Sequence, residues 1–454
     1  MSFPAYPAYK DSTISWLGRV PSHWNVLRLK HACEVFPSNV DKHARDDEPP
    51  VRLCNYTDVY YNERITADMP FMEATASEEQ IARFTLRGGD TIITKDSETA
   101  DDIAVAAYVP DDLPGVVCGY HLSMVRPRGS TCGVFVKRLF DSIYAKARFA
   151  VAANGLTRVG LGQYAVDNID LPFPPVDEQR AIAAFLDRET AKIDALVEEQ
   201  KRLIELLKEK RQAVISQAVT KGLDPSVPMK DSGVAWLGEV PAHWQVGPVK
   251  RFWTVIDCKH ITAEFVEDGI PLASIREVQG WSVSLSDAKM TTAYFFGQLV
   301  EGGRKPSADD IIFSRNATVG EAALVPANAP TFAMGQDVCL FRRIQPNFSG
   351  SFMLHQIKSA LIKTQLDLVM IGSTFKRVNV EEIRELVVCM PPPGEQTKLA
   401  ARLSIDIGRL DELISEATLA IELLQERRAA LISAAVTGKI DVRGLVPQPE
   451  GISA

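Results

Sequence analysis

The sequence predicts an α+β chain made by tandem duplication, with two globular α+β domains separated by two long antiparallel coiled-coil helices in a pseudo-twofold, circular arrangement. Three observations lead there. Residues 9–31, YKDSTISWLGRVPSHWNVLRLKH, return at 229–251 as MKDSGVAWLGEVPAHWQVGPVKR. A P-P-x-x-E-Q sequence at 174–179 returns at 391–396. Each copy of it opens a long run with apolar residues at alternating spacings of four and three, the signature of a coiled-coil helix.

The elements follow in order. The framing segment (1–24, repeated at 223–244) leads into a variable domain (25–172 and 245–389), and each copy closes with a long helix (173–222 and 390–437), with a tail at 438–454. In the variable domains, D-x-I-I runs starting at Asp90 and Asp309 read as strands. They meet turn clusters at 110–115 and 326–330 and return as the second strands of hairpins over 115–125 and 331–343. One helix is expected over 133–153, stopped by Asn154-Gly155, and another over 351–371, stopped by Gly372.

The first seam runs Leu186, Thr190, Ile193, Val197, Gln200, Ile204, Leu207, Arg211, Val214, Ala218; the second runs Leu403, Ile407, Leu410, Ile414, Ala417, Ile421, Leu424, Arg428, Leu431, Ala435. A helix of this length extends roughly 65 Å at 1.5 Å per residue. Mutual burial of such seams contributes on the order of 10–20 kcal/mol gross per helix before ordering costs. Each helix then acts as a rigid spacer. After the second one, TGKID at 437–441 parallels TKGLD at 220–224, which points to circular closure.

Composition narrows the function. A chain of 454 residues with 46% apolar and 24% charged residues is an ordinary globular protein of two to four domains. A net charge of −8 excludes a global basic field, so any DNA contact is local or shared with a partner. Seven scattered cysteines without a C-x-x-C pair read as reduced thiols and a cytoplasmic location. No run of 18 apolar residues and no signal-peptide pattern occurs, so no membrane partner is expected.

Catalytic patterns are missing: there is no nucleotide-binding P-loop, no H-E-x-x-H and no histidine spacing suited to a metal. LPFPP at 171–175 lacks the Asn or Asp that an amino-methyltransferase places before Pro-Pro. His23 and His243, between Pro and Trp, are expected to make structural hydrogen bonds. Asp257-x-Lys259 has the D-x-K form of some nucleases but no upstream Pro-Asp pair. No catalytic residue and no metal ligand is therefore assigned.

Recognition remains. Reading base edges needs loop side chains that donate and accept hydrogen bonds. Three clusters recur at matching places in the two domains. Lys95, Asp96 and Ser97 match Ser314, Arg315, Asn316 and Thr318; Tyr120 and His121 match Gln336; Thr157 and Arg158 match Ser373, Thr374, Lys376 and Arg377. Trp16 and Trp236 in the framing segments, with Arg211 and Arg428 on the seams, are candidates for holding a partner.

With the W-L-G-x-V-P-x-H-W segments, the D-x-I-I strands, both P-P-x-x-E-Q entries and the Ala-Val-Thr helix ends, the whole chain resembles the DNA specificity subunits of type I restriction-modification systems. The resemblance implies that each variable domain is a target-recognition domain for one half of a bipartite, asymmetric double-stranded DNA sequence, with the helices setting the gap. It implies a non-catalytic subunit that docks two adenine-N6 methyltransferase subunits and, through them, restriction subunits. S-adenosylmethionine, ATP and Mg would belong to those partners, and no cofactor to this chain. The competing readings are a coiled-coil adaptor for proteins, without DNA sequence preference, and a nuclease using Asp257 and Lys259.

Overall fold

The computed structural model describes residues 3–370 and 377–445. The chain divides into two compact units, Met1–Gln200 with Leu419–Ala454, and Lys201–Thr418. Each long helix therefore contributes one stretch to each unit.

In unit 1, strands β1 (Cys33–Pro37), β2 (Thr91–Thr94), β3 (Ala106–Tyr108) and β4 (Leu122–Pro127) form an antiparallel sheet in the order β1-β4-β2-β3. Alternate residues point to opposite faces. Ile93 and Val125 pack with Phe135, Phe140 and Phe149 of helices α1 (Gly133–Phe140) and α2 (Ile143–Ala152), and with Leu186 of α3 (Val176–Lys221). Ile92 and Met124 face a second cluster with Leu53 and Val117. Those two belong to a separate three-stranded sheet, in which Val116–Cys118 lies parallel to Pro50–Cys54. The run expected to return as one hairpin strand over 115–125 is thus two strands in two sheets.

Unit 2 repeats the plan. Strands β5 (Trp253–Asp257), β6 (Ile311–Ser314), β7 (Ala322–Leu324) and β8 (Val338–Arg343) run in the order β5-β8-β6-β7. One face packs on α4 (Gly350–Ile357) and α5 (Ala360–Val369) through Phe313, Phe341, Met353 and Ile362; the other carries Ile312, Leu340 and Phe332.

Strand register corrects one sequence match. Thr91 faces Val125 and Ile311 faces Phe341. Arg126 holds Asp90 through two hydrogen bonds of 2.8 and 2.7 Å, and Arg342 holds Asp310 at 3.2 and 2.6 Å. The counterpart of Asp90 is therefore Asp310. Asp309, the start of the apparent D-x-I-I repeat, lies one residue early, with a left-handed φ of 66°.

The single helices expected after each sheet are broken in two, at Asp141-Ser142 and Lys358-Ser359. Neither break holds Gly or Pro. Ser142 and Ser359 turn their hydroxyls back onto the carbonyls of Leu139 and Gln356, both at 2.6 Å. The first free N–H of the next helix donates to a serine of a long helix: Ile143 N to Ser433 Oγ at 2.8 Å, and Ala360 N to Ser216 Oγ at 3.1 Å.

The long helices are α3, 46 residues, and α6 (Pro393–Val436), 44 residues. Seam residues Leu186, Thr190, Ile193, Val197, Leu207, Ala218, Leu403, Ile407, Leu410, Ala417 and Ala435 are buried. Within unit 1 the two helices run antiparallel, with Leu186 near Ile432 and Ala435 and Arg428 on Asp194. Within unit 2, Ile215 and Ala218 lie with Leu399 and Leu403, and Arg211 pairs with Asp411.

The recurring motifs prove to be partners of one another. The indole of Trp24 donates to Glu178 of the first P-P-x-x-E-Q at 3.0 Å, and His23 meets the same carboxylate at 2.8 Å. Trp244 and His243 treat Glu395 identically, at 3.1 and 2.7 Å. Both histidines thus make the structural contacts expected of them. Gln179 receives the N–H of Cys132 at 2.9 Å, and Gln396 that of Ser349 at 2.9 Å. Each motif clamps the framing segment and the sheet-covering helices onto the start of a long helix. The end of the chain completes unit 1: Asp441 N donates to Pro4 O at 2.7 Å, and Lys439 to Arg19 O at 2.8 Å.

Candidate nucleic-acid interface

In unit 1 the three loop clusters converge at one end of the sheet. Chain leaving β2 gives Lys95, then the short strand Asp96–Ser97, which pairs with Val159–Gly160. Lys95 N donates to His121 O at 3.0 Å, and Leu161 N donates to Lys95 O at 2.7 Å. One carboxylate gathers the side chains: Asp96 lies 2.7 Å from His121 Nδ1 and 2.6 Å from Arg158 Nη2. The Tyr120 ring lies 3.7 Å from that of His121, and the Lys95 ammonium donates to Ser38 O at 3.1 Å. Burial lowers the Lys95 pKa, with Asp96 opposing. Thr157 is exposed beside Arg158.

Unit 2 builds its site on the same backbone frame. Arg315 N donates to Asp337 O at 2.9 Å, Val378 N donates to Arg315 O at 3.0 Å, and Asn316 bridges to Arg377. Lys95 therefore corresponds to Arg315, Asp96 to Asn316 and His121 to Asp337. The Ser314 hydroxyl bonds Asn316 O at 3.1 Å and lies 3.4 Å from that of Thr318; Gln336 donates to Thr262 at 3.2 Å.

Placement corrects part of the candidate set. Ser97, Ser314 and Arg315 are buried, so their side chains shape the loops instead of facing solvent. Arg315 reaches Asp257 at 2.8 Å, an anchor that residue type alone did not reveal because Asp257 ends a distant strand. Asp257, Cys258 and His260 bring donor atoms within 4.8 Å of one another. The Arg315 guanidinium already sits among them, 3.9 Å from Cys258 Sγ, and a cation so placed does not fit a metal centre. Burial raises the Cys258 thiol, with Asp257 adding and Arg315 opposing. Ser373, Thr374 and Lys376 lie outside the described residues, whereas Arg377 is exposed.

The sequence reading also passed over Tyr56, Tyr60 and Tyr61. Tyr56 and Tyr60 stack at 5.4 Å, and the Tyr60 hydroxyl meets Asp102 at 2.5 Å. The Y-x-x-x-Y-Y spacing was the available signal, one helical turn apart.

Of the partner candidates, Trp16 and Trp236 are 53% and 47% exposed, and Arg148 lies 5.6 Å over the Trp16 ring. Arg428 and Arg211 pair instead with acids of the neighbouring long helix, Asp194 and Asp411. Arg428 also meets Glu63, beside Lys137 and Arg138. These charges hold Glu63 down to about 2 although its burial pushes the other way. In unit 2 the counterpart of Glu63 is Trp281, and a crevice of about 660 Å³ opens there, lined by Arg211, Trp281, Thr318 and Lys358.

Residues 293–423 match the family described as Type I restriction modification DNA specificity domain. The chain is 21% identical over 438 residues to a putative type I restriction enzyme MjaX specificity subunit of Methanocaldococcus jannaschii, covering 94% of this chain and 96% of that protein. It is 20% identical to the type I restriction enzyme EcoKI specificity subunit of Escherichia coli K12, covering 96% and 93%. A chain from a structure of type I restriction-modification assembly and conformational transition superposes with a TM-score of 0.72 at 16% identity, over 94% of this chain and 99% of that one. The HsdS subunit from Thermoanaerobacter tengcongensis gives 0.53 at 16% identity, over 92% and 98%. Over nearly its whole length the chain is thus similar to type I restriction enzyme specificity subunits, residues 293–423 match the model of their DNA specificity domain, and the fold is shared with the HsdS subunit.

Proposed function

We propose that this chain reads a bipartite, asymmetric double-stranded DNA sequence, one half-site per unit, and presents it to two adenine-N6 methyltransferase subunits and, where they exist, to restriction subunits. The observation that supports this best is the pair of three-loop sites. One backbone frame recurs in both units while its side chains are exchanged, Lys95 for Arg315, Asp96 for Asn316 and His121 for Asp337. A constant frame with variable side chains suits two readers of different sequences.

The chain itself is non-catalytic in this reading. S-adenosylmethionine, ATP and Mg are supplied by the partners, which also make most phosphate contacts, in keeping with a net charge of −8 on this subunit. Adenine is reached by flipping it into a partner's pocket, so this chain provides register and orientation. The long helices set the gap between half-sites, and the exposed Trp16 and Trp236 belong to the docking surface. Among the described residues no helix is long and apolar enough to cross a membrane; a cytoplasmic location belongs to this proposal through the DNA and partner subunits it assigns.

The test is single-molecule sequencing of genomic DNA from a methylation-free host expressing the chain with its methyltransferase. N6-methyladenine confined to one split motif and lost without this chain is expected. Exchange of residues 25–172 should alter one half only. The same pattern from the methyltransferase alone would refute the proposal.

A further inference from the structure

The geometry points to Arg158 as the residue that reads a guanine in the half-site of unit 1, with Asp96 as the residue that positions it. This rests on the DNA-reading role proposed above and adds a base identity to it.

The argument begins with what is fixed and what is free. Asp96 belongs to a two-residue strand bonded to Val159–Gly160, and its carboxylate is held on one side by His121 at 2.7 Å. Its other oxygen lies 2.6 Å from Arg158 Nη2. The guanidinium is thus tethered at one nitrogen, and the side chain stays 52% exposed. Lys95, Tyr120 and Thr157 belong to the loops that meet at the same end of the sheet.

A guanidinium offers donors only, arranged as a fork. On the major-groove edge guanine alone presents two adjacent acceptors, O6 and N7; adenine and cytosine each present a donor there, and thymine has a single acceptor beside a methyl group. A fork tethered beforehand gives up less rotamer freedom on binding, which sharpens the choice. In unit 2, Asn316 replaces Asp96, and the arginine on that frame, Arg315, takes the place of Lys95 and is buried against Asp257. That half lacks this tethered pair among its described residues.

The experiment uses the full chain in complex with its methyltransferase. Wild-type protein is first offered duplexes in which each guanine of the half-site assigned to residues 25–172 is replaced in turn by 7-deazaguanine, which lacks N7. One position should weaken binding about 10-fold or more, while guanines of the other half-site respond independently of Arg158. In the methylation-free host, Arg158→Gln should then relax that same position or shift it toward adenine, and Asp96→Ala should relax it with methylation of the other half-site retained. If no guanine of that half-site is sensitive, or Arg158→Gln methylates the unchanged motif, the assignment to Arg158 is wrong although the specificity role stands. A pattern that does not depend on the chain at all would instead remove the DNA-reading role.

Discussion

Trp24 donates its indole N–H to Glu178 at 3.0 Å, joining the framing segment to the first turn of a long helix. The Tyr6 hydroxyl donates to the same carboxylate at 2.6 Å, and burial with that hydrogen bond raises the phenol well above its ordinary pKa. Glu178 is buried. Removing it strands a buried indole and a buried phenol, so Glu178→Ala should cost roughly 2–4 kcal/mol. Glu395, half-buried and without a tyrosine partner, should cost about 1–2 kcal/mol in Glu395→Ala. Urea unfolding of the two variants checks the order; equal losses would contradict it.

Glu63 sets a pH dependence. Its folded pKa of about 2 lies below the ordinary 4.5 because Lys137, Arg428 and Arg138 outweigh its burial. A depressed carboxyl contributes stability that is complete above the unfolded value and lost as pH falls through the folded one. Glu63→Gln should therefore destabilise by roughly 1–2 kcal/mol at neutral pH, a figure discounted from that of a buried pair because the side chain is 47% exposed. The gap from wild type should narrow below about pH 4.5 and close near pH 2. A gap that persists in acid would mean that packing, not charge, is responsible.

Ser216 and Ser433 cap helices that are not their own. Each accepts the first free N–H of a short helix, at 3.1 and 2.8 Å. Ser→Ala at either position should cost about 0.5–2 kcal/mol, the usual value of an N-cap. Amide exchange should quicken at Ile143 in Ser433→Ala and at Ala360 in Ser216→Ala, each without change at the other.

How far this was legible in the sequence differs by level. The Trp-Leu-Gly and P-P-x-x-E-Q repeats and the coiled-coil seams were readable because duplication and periodicity are patterns in one dimension. That the Trp and Glu of those motifs touch was not, since over 150 residues separate Trp24 from Glu178. The helix breaks escaped notice because Asp141-Ser142 and Lys358-Ser359 contain neither Gly nor Pro; a local serine hydroxyl closes each first helix and a serine of a long helix caps the start of the next. The strand register slipped by one because Asp309 and Asp310 both satisfy the motif, and only the Arg342 pair distinguishes them. Loop position picked out three clusters that the fold of unit 1 brings together, but side-chain type could not show that Arg315 turns inward to Asp257.

Asn316 tests the independence of the two half-sites. Its backbone is held by Arg377 and its side-chain oxygen accepts from Ala317 N at 2.9 Å, so substitution leaves the sheet intact. Asn316→Ala should degrade recognition at one or two positions of the half-site of unit 2, by about 1–3 kcal/mol for a base contact, and leave the other half unchanged. Methylation sequencing reads this directly. Altered preference in both halves would argue against separate readers.

Gly438 tests whether the end of the chain is structural. Its φ is +71°, and an added Cβ would stand 2.3 Å from Pro21 Cδ and 3.3 Å from the Trp24 ring. Gly222, its counterpart in the repeat, has a similar φ of +75° but meets nothing nearer than 3.5 Å, at the Trp244 ring. Alanine is strained at both positions by backbone conformation alone, by about 1 kcal/mol. At Gly438 a clash with the framing segment is added. Gly438→Ala should therefore destabilise by roughly 2–4 kcal/mol and Gly222→Ala by about 1 kcal/mol. Truncation after Thr437 removes Lys439 and Asp441, which bond Arg19 and Pro4, and should lower the unfolding midpoint of unit 1 while leaving that of unit 2 in place. Limited proteolysis distinguishes the outcomes: early cleavage within residues 1–24 of the truncated chain is expected, because that segment loses the strand of chain that covers it. Unchanged protection there would show that the framing segment holds through Glu178 alone.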